Sequence, residues 1–229
     1  MRLLMNRFLK YLLFIMFLNS SFSMAGGITV GATRVIYDSD KREALISVNN
    51  SDITPYLIQS WVELDEEKKD KAPFIITPPL FRLDGNAENI LRIVKTNEDL
   101  PDNKESLFWI NIKAIPSSTR NNEQNTLQIA IRTKIKLIYR PSSITGNPLD
   151  KAKELTWKQV GNKLTITNPT PYILNFETIK VGQHSIENPL FIMPYSQETY
   201  NLPNGVNGNV SWSIINDFGG VSELLTSNK

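Results

Sequence analysis

The chain has no cysteine and one histidine in 229 residues. The first absence excludes disulfides, thiolate nucleophiles, thiol redox chemistry and cysteine-ligated zinc. The second leaves no histidine cluster for a metal, and any Ser-His-Asp triad would have to use His184. That residue sits in VGQHSIEN, a turn-like stretch without a nucleophile elbow, and reads as an exposed loop histidine. Glycine-rich phosphate loops are missing too: FGG (218–220) has no following Lys-Ser/Thr and reads as a turn. Nothing in this inventory makes a positive case for an enzyme, a metal, a cofactor or a small-molecule substrate.

Long apolar runs are also absent, apart from one at the start. Arg2, Arg7 and Lys10 surround and precede the short core YLLFIMFL (11–18), and SMA (23–25) offers a small-x-small cleavage site. The core falls short of the ~20 residues needed to span a bilayer. Residues 1–25 therefore read as a cleavable signal peptide, and the protein as exported. The leader holds three of the 25 Lys+Arg and none of the 23 Asp+Glu, so the remainder has 22 against 23, a net −1. Excess charge of one sign is thus lacking, and nucleic acid is not called for as a partner. Any basic chemistry must be local. The 204 residues that remain after the leader can form one large β domain or two of ~100 residues, each held without disulfides by its own hydrophobic core.

What is present is β-pattern. ITVGATRVIY (28–37), EALISVNN (43–50), PYLIQSWVEL (55–64), NILRIVKT (89–96), SLFWINIKAI (106–115) and LQIAIRTKIKLIY (127–139) are rich in Ile, Val, Leu and aromatics. Phe108, Ile110 and Ile112 fall on one face, Trp109, Asn111 and Lys113 on the other. Turn compositions such as NNSD and DGNAEN separate the runs, and no long amphipathic helical period appears, so the pattern predicts an all-β sandwich. ELDEEKKDK (63–71) reads as a solvated hairpin tip, and PSSTRNNEQN (116–125) as a polar loop.

After Arg140 the stretch PSSITGNP (141–148) reads as a linker. Shorter strand-like runs follow: KLTITNPTPYIL (163–174), ETIKVG (177–182), PLFIMP (189–194), QETYNL (197–202) and GNVSWSIIND (208–217). The expected organisation is a domain over 26–143 and a second, smaller β domain over 144–229.

One run raises a question of its own. In LQIAIRTKIKLIYR (127–140), Leu127, Ile129, Ile131, Ile135, Leu137 and Tyr139 share one parity, with mostly charged residues on the other. A strand this long at a sheet edge is an aggregation hazard unless it is covered or its exposure is useful. Arg34 lies inside an apolar strand, and Lys136 and Arg140 lie on one face just before the linker. Each reads either as an outward charge on a half-exposed strand or as part of a cationic cleft suited to a carboxylate or phosphate.

Taken in order, TRVIY (33–37), PYLIQSWV (55–62), TPPLFRL (77–83), ESLFWINIKAIP (105–116), LQIAIRTKIKLIYRP (127–141), NPTPY (168–172) and INDFGG (215–220) resemble the PapD-like periplasmic pilus chaperones. The resemblance implies two immunoglobulin-like sandwich domains set in an L around an interdomain cleft. It also implies a periplasmic, non-enzymatic chaperone that stabilises pilus (fimbrial) subunits by donor-strand complementation and delivers them to an outer-membrane usher. In such proteins the G1 edge strand fills the gap in a subunit that lacks its last strand. By similarity, Leu127, Ile129 and Ile131 would occupy the subunit groove. At ~25 cal/mol per Å², three such side chains supply roughly 4–9 kcal/mol before ordering costs. Arg34 and Lys136 match the cations that anchor the subunit's C-terminal carboxylate and so fix the register. Glu105, Arg140 and Asp217 match an interdomain salt-bridge network. The short loop before G1 and the lack of cysteine resemble the short-loop group, which serves rod-like pili. The competing reading is a secreted two-domain sandwich acting as an adhesin or structural pilus component, although its full strand complement is unlike an incomplete subunit. Self-association of the free form through the edge strand, and the cis or trans state of the bonds before Pro78 and Pro79, are left open at this level.

Overall fold

Strands form where β-branched and aromatic residues alternate with polar ones, and the chain turns at the Gly, Pro, Asn and Asp clusters between them. The computed structural model describes residues 26–64, 72–96, 99–117 and 127–227. The expected signal peptide, residues 65–71 of the charge run and most of the loop before Leu127 lie outside the described residues. The first half holds β1 (Ile28–Val30), β2 (Arg34–Asp38), β3 (Ala44–Asn50), β4 (Tyr56–Glu63), β5 (Phe74–Thr77), β6 (Leu80–Leu83), β7 (Glu88–Lys95), β8 (Ser106–Pro116) and β9 (Ile131–Arg140). They make two sheets, ordered β1-β3-β7-β5 and β2-β9-β8-β4-β6. Inward residues of the first, among them Val48, Leu91 and Ile93, pack on Ile58, Phe108, Ile110 and Leu137 of the second. Phe74 closes this core with edge contacts to Tyr37 and Phe108 at 5.3 and 4.9 Å.

The second half begins with a helical turn, α1 (Pro148–Lys151), inside the stretch expected to start as linker. Asn147 caps it by accepting from the Asp150 N–H at 2.9 Å, and Pro148 takes the first helical position, where no N–H is required. Then come β10 (Thr156–Val160), β11 (Lys163–Thr167), β12 (Leu174–Val181), β13 (His184–Ser185), β14 (Phe191–Ile192), β15 (Gln197–Asn201), β16 (Val210–Ile215) and β17 (Leu225–Thr226). One sheet is β10-β11-β15 and the other β13-β12-β16-β17, with β14 also on β12. Leu164, Ile166, Leu174, Phe176, Trp212 and Ile214 form a separate buried core between them. The all-β, two-sandwich architecture is as expected. His184 differs from its expected loop position: it lies in β13, half-buried, opposite Val181.

Two expected strands are cut short, and both cuts matter. The run 28–37 breaks at Gly31–Thr33, so that β1 joins the first sheet and β2 the second. At Gly31 a Cβ would stand 2.3 Å from the Ser47 hydroxyl, so the close crossing requires glycine or a shift of that side chain. The run 163–174 stops at Thr167 because Asn168 turns the chain. Its carboxamide oxygen accepts from the Thr170 N–H and its amide donates to the Tyr172 and Met193 carbonyls at 2.8 and 2.9 Å. Asn50 does the same in the first half: it accepts from Asp52 N–H and donates to the carbonyls of Thr54 and Asp84. Both side chains are fully buried. NPTPY is thus a turn built around one satisfied amide, and NSDITPY (50–56) is its counterpart in the first sandwich. The Thr77–Pro78 bond is cis.

Asn168→Ala strips partners from the buried Tyr172 carbonyl, the part-buried Met193 carbonyl and the Thr170 amide, and should cost about 2–4 kcal/mol. Urea unfolding of the variant checks this, with an effect below about 1 kcal/mol counting against the turn assignment.

Candidate functional site

β9 is paired unequally on its two sides. Antiparallel β8 covers it from Ile131 to Tyr139, while β2 runs parallel to it only from Lys136 to Arg140. Ile131–Ile135 therefore have a strand neighbour on one side only. Leu127–Ala130 carry no strand pairing, which corrects the expected strand of 127–140. β8 pairs with β9 only as far as Ala114–Ile131 and ends at Pro116, which has no N–H to extend the ladder. Leu127, Ile129 and Ile131 are 87%, 65% and 65% exposed, whereas Ile135, Leu137 and Tyr139 of the same parity are buried. The apolar row thus runs out of the core into open solvent.

Where β2 meets β9, Arg34 pairs directly with Lys136. Arg34 is half-buried; its Nη1 donates to the Ile215 carbonyl at 3.4 Å, and its Nε is buried with no hydrogen-bond partner. Burial lowers its pKa, opposed by the charge of Asp217. Lys136 Nζ donates to Asn175 Oδ1 at 2.5 Å and stands 4.2 Å from the centre of the Phe191 ring. Arg34 also lines a cleft of about 690 Å³ beside Arg140, Asp217 and Phe218. Lys136 does not line that cleft and is held on the Asn175 side.

At the far end of β9, Arg140 Nε donates to Glu105 at 2.6 Å and its two terminal nitrogens bind Asp217 bidentately at 2.7 and 2.9 Å. The guanidinium lies 5.4 Å from the centre of the Tyr172 ring. Glu105 also accepts from the Ile173 N–H at 2.7 Å, and its own N–H donates to the Pro171 carbonyl. Residues expected together are thus in contact, joining the first sandwich to the second at Pro171, Tyr172, Ile173 and Asp217. Asp217 is presented by a turn in which Asn216 Oδ1 accepts from the N–H groups of Phe218 and Gly220, with Gly219 at φ 86°. Burial pushes the Glu105 carboxyl up to about 7, against the pull of Arg140 and the Ile173 N–H. Burial works against the Arg140 charge, yet its pKa is raised by the hydrogen bonds and charges of Asp217 and Glu105.

Sequence patterning missed two groups. Asn175, Phe191 and Ile215 of the second sandwich meet the two cations, and the single hint was a buried Asn within the apolar run ILNF. Glu63, expected at a solvated tip, is instead buried at the end of β4. There it accepts from Trp61 Nε1 at 2.8 Å and pairs loosely with Lys134 at 3.7 Å, whose ammonium stands over Trp109.

Residues 27–145 match the family described as the pili and flagellar-assembly chaperone, PapD N-terminal domain, and residues 150–226 match its C-terminal domain. The probable fimbrial chaperone LpfB of Escherichia coli O157:H7 is 44% identical over 210 residues, covering 90% of each chain. The chaperone protein FimC of E. coli K12 is 44% identical over 203 residues, spanning 87% of this chain and 83% of its own. Among solved structures, the complex of Salmonella enterica SafA pilin with the SafB chaperone superposes with a TM-score of 0.83 at 38% identity, over 90% of this chain and 98% of that one. The E. coli chaperone DraB gives 0.80 at 39%, over 89% and 99%.

A carboxyl raised on folding, as Glu105 is, lends stability that is complete below its unfolded value of 4.5 and is lost as pH rises through about 7. Between pH 5 and 8 the protein should therefore lose on the order of 1–3 kcal/mol through this group. Thermal melts of wild type and Glu105→Gln check it: the fall should be shallower in the variant. A wild-type fall no steeper than that of Glu105→Gln would mean that Glu105 stays ionised throughout.

Proposed function

This chain belongs to the PapD-like pili-assembly chaperones, and from that premise we propose how it holds a pilus subunit. It is a chaperone of pilus subunits, a binding protein rather than an enzyme. The observation that carries the mechanism is the half-open β9, with a row of exposed aliphatics running beyond the reach of β2. An incomplete subunit sandwich docks along Ile131–Ile135 and the residues before them, completing its sheet with main-chain hydrogen bonds. Leu127, Ile129 and Ile131 enter its groove at every second position. The gain is apolar burial, offset by the cost of ordering both chains.

Arg34 and Lys136 anchor the subunit's terminal carboxylate. The Arg34 fork has a buried Nε without a partner, and a carboxylate oxygen would satisfy it. Lys136 adds a charge one strand away. Pinning the chain end selects one register, because a slip of one residue would turn the apolar row off the groove. Glu105, Arg140 and Asp217 hold the two domains at a fixed angle. The division between the domains falls near residue 143, between cores that end at Tyr139 and begin at Ala152. Residues 1–25 direct export and are removed, so the chaperone works in the periplasm and passes its subunit to an outer-membrane usher.

Arg34→Ala and Lys136→Ala should each weaken capture of a co-exported pilus subunit by about 2–5 kcal/mol, enough to abolish co-purification, with melting near wild type. Wild-type subunit yield from either variant would remove the anchor assignment. Ile129→Asp puts a charge into the groove and should block capture equally; an unchanged one-to-one complex would mean that β9 is not the donor.

A further inference from the structure

The two cations of the anchor face a single row of the second sandwich. Asn175 is the cross-strand neighbour of Phe191 on one side and of Ile215 on the other. Arg34 and Lys136 are themselves cross-strand neighbours on β2 and β9. Lys136 donates to Asn175 Oδ1 and lies over the Phe191 ring, and Arg34 donates to the Ile215 carbonyl. Two rows from two domains therefore meet contact for contact.

We infer that Asn175 and Phe191 are positioning residues for the anchor, holding the Lys136 ammonium in place from the second domain. This rests on the reading of Lys136 as a carboxylate anchor. Asn175 and Phe191 are both neutral. A carboxamide oxygen and a ring face orient an ammonium without cancelling its charge, so its pull on an incoming carboxylate is kept. A free lysine chain is a flexible stem with a strongly hydrated head, and ordering it on binding is costly. Here that ordering is complete before the subunit arrives. Asn175 is buried, so its amide is a fixed acceptor. The anchor's strength then depends on both domains keeping their mutual position, which links the ion-pair network at Arg140 to the choice of register at Lys136. A carboxylate at 175 would reverse the effect, occupying the ammonium with an internal copy of the ligand.

The test uses the full chain without its leader and a fluorescent peptide of alternating valine and threonine, either with a free C-terminal carboxylate or as its C-terminal amide. The ratio of the two affinities reports the anchor and is insensitive to strand addition, which both peptides share. Asn175→Asp should lower the ratio about tenfold or more, since a charge-assisted bond is replaced by competition. Asn175→Ala and Phe191→Leu should lower it about three- to tenfold, with binding of the amide unchanged. A wild-type ratio in Asn175→Asp and Asn175→Ala, with the ratio lost in Lys136→Ala, overturns this inference and leaves the anchor standing. A wild-type ratio in Lys136→Ala itself overturns the anchor and this inference with it. Phe191→Leu, at a half-buried position, carries the same test should the buried Asn175 variants fail to fold; a wild-type ratio there, with Lys136→Ala losing it, likewise overturns the inference.

Discussion

Five residues of parallel pairing between β2 and β9 set the terms for the rest of this molecule. Because β2 is short and stops at Arg34, the far half of β9 keeps an open edge. Because the pairing is parallel and in this register, Arg34 stands beside Lys136 at the point where cover ends. Because it continues to Arg140, the same strand finishes in the ion pairs that fasten the second sandwich. An open edge, a charged stop and a domain clamp lie in sequence along one strand. Moving the register by one residue would separate all three.

The cations on β9 show how environment sorts chemically similar groups. Arg140 is enclosed by two carboxylates, and with its charge compensated and buried it serves structure. Lys134 faces a distant carboxylate and a tryptophan ring. Lys136 meets an amide oxygen and a phenyl face, neither of which carries charge. Lys136 is also the one whose cross-strand neighbour Arg34 has a buried Nε–H without a hydrogen-bond partner. The division of labour comes from the surroundings, since all three side chains alternate on one face of one strand.

Much of this was legible from residue pattern. Alternation marked β3, β4, β7 and β8 to within one residue, and the parity of 127–131 separated the aliphatic row from the basic one. The errors have physical causes. The run 28–37 looks continuous because Gly31 does not interrupt apolar alternation, yet the chain changes sheets there. Glu63 belongs by composition to the charge run that follows it, but a β4 register that sets it opposite Trp109 buries it. The Pro-rich NPTPY looked like part of a strand, and only the hydrogen bonds of Asn168 reveal the turn. The loop that would assign the short-loop group lies outside the described residues.

Sequence determined the all-β character, the two-part division, the exposed aliphatic parity and, through family resemblance, the identities of Arg34 and Lys136 as residues of interest. These rest on local periodicity and ordered motifs, which need no knowledge of distant neighbours. Tertiary structure decided how far β2 covers β9, which carboxylates enclose Arg140 and that Asn175 and Phe191 receive Lys136. Each of these depends on contacts between segments 35 to 102 residues apart. Such contacts are made by packing and register, and no short-range pattern along a chain encodes them.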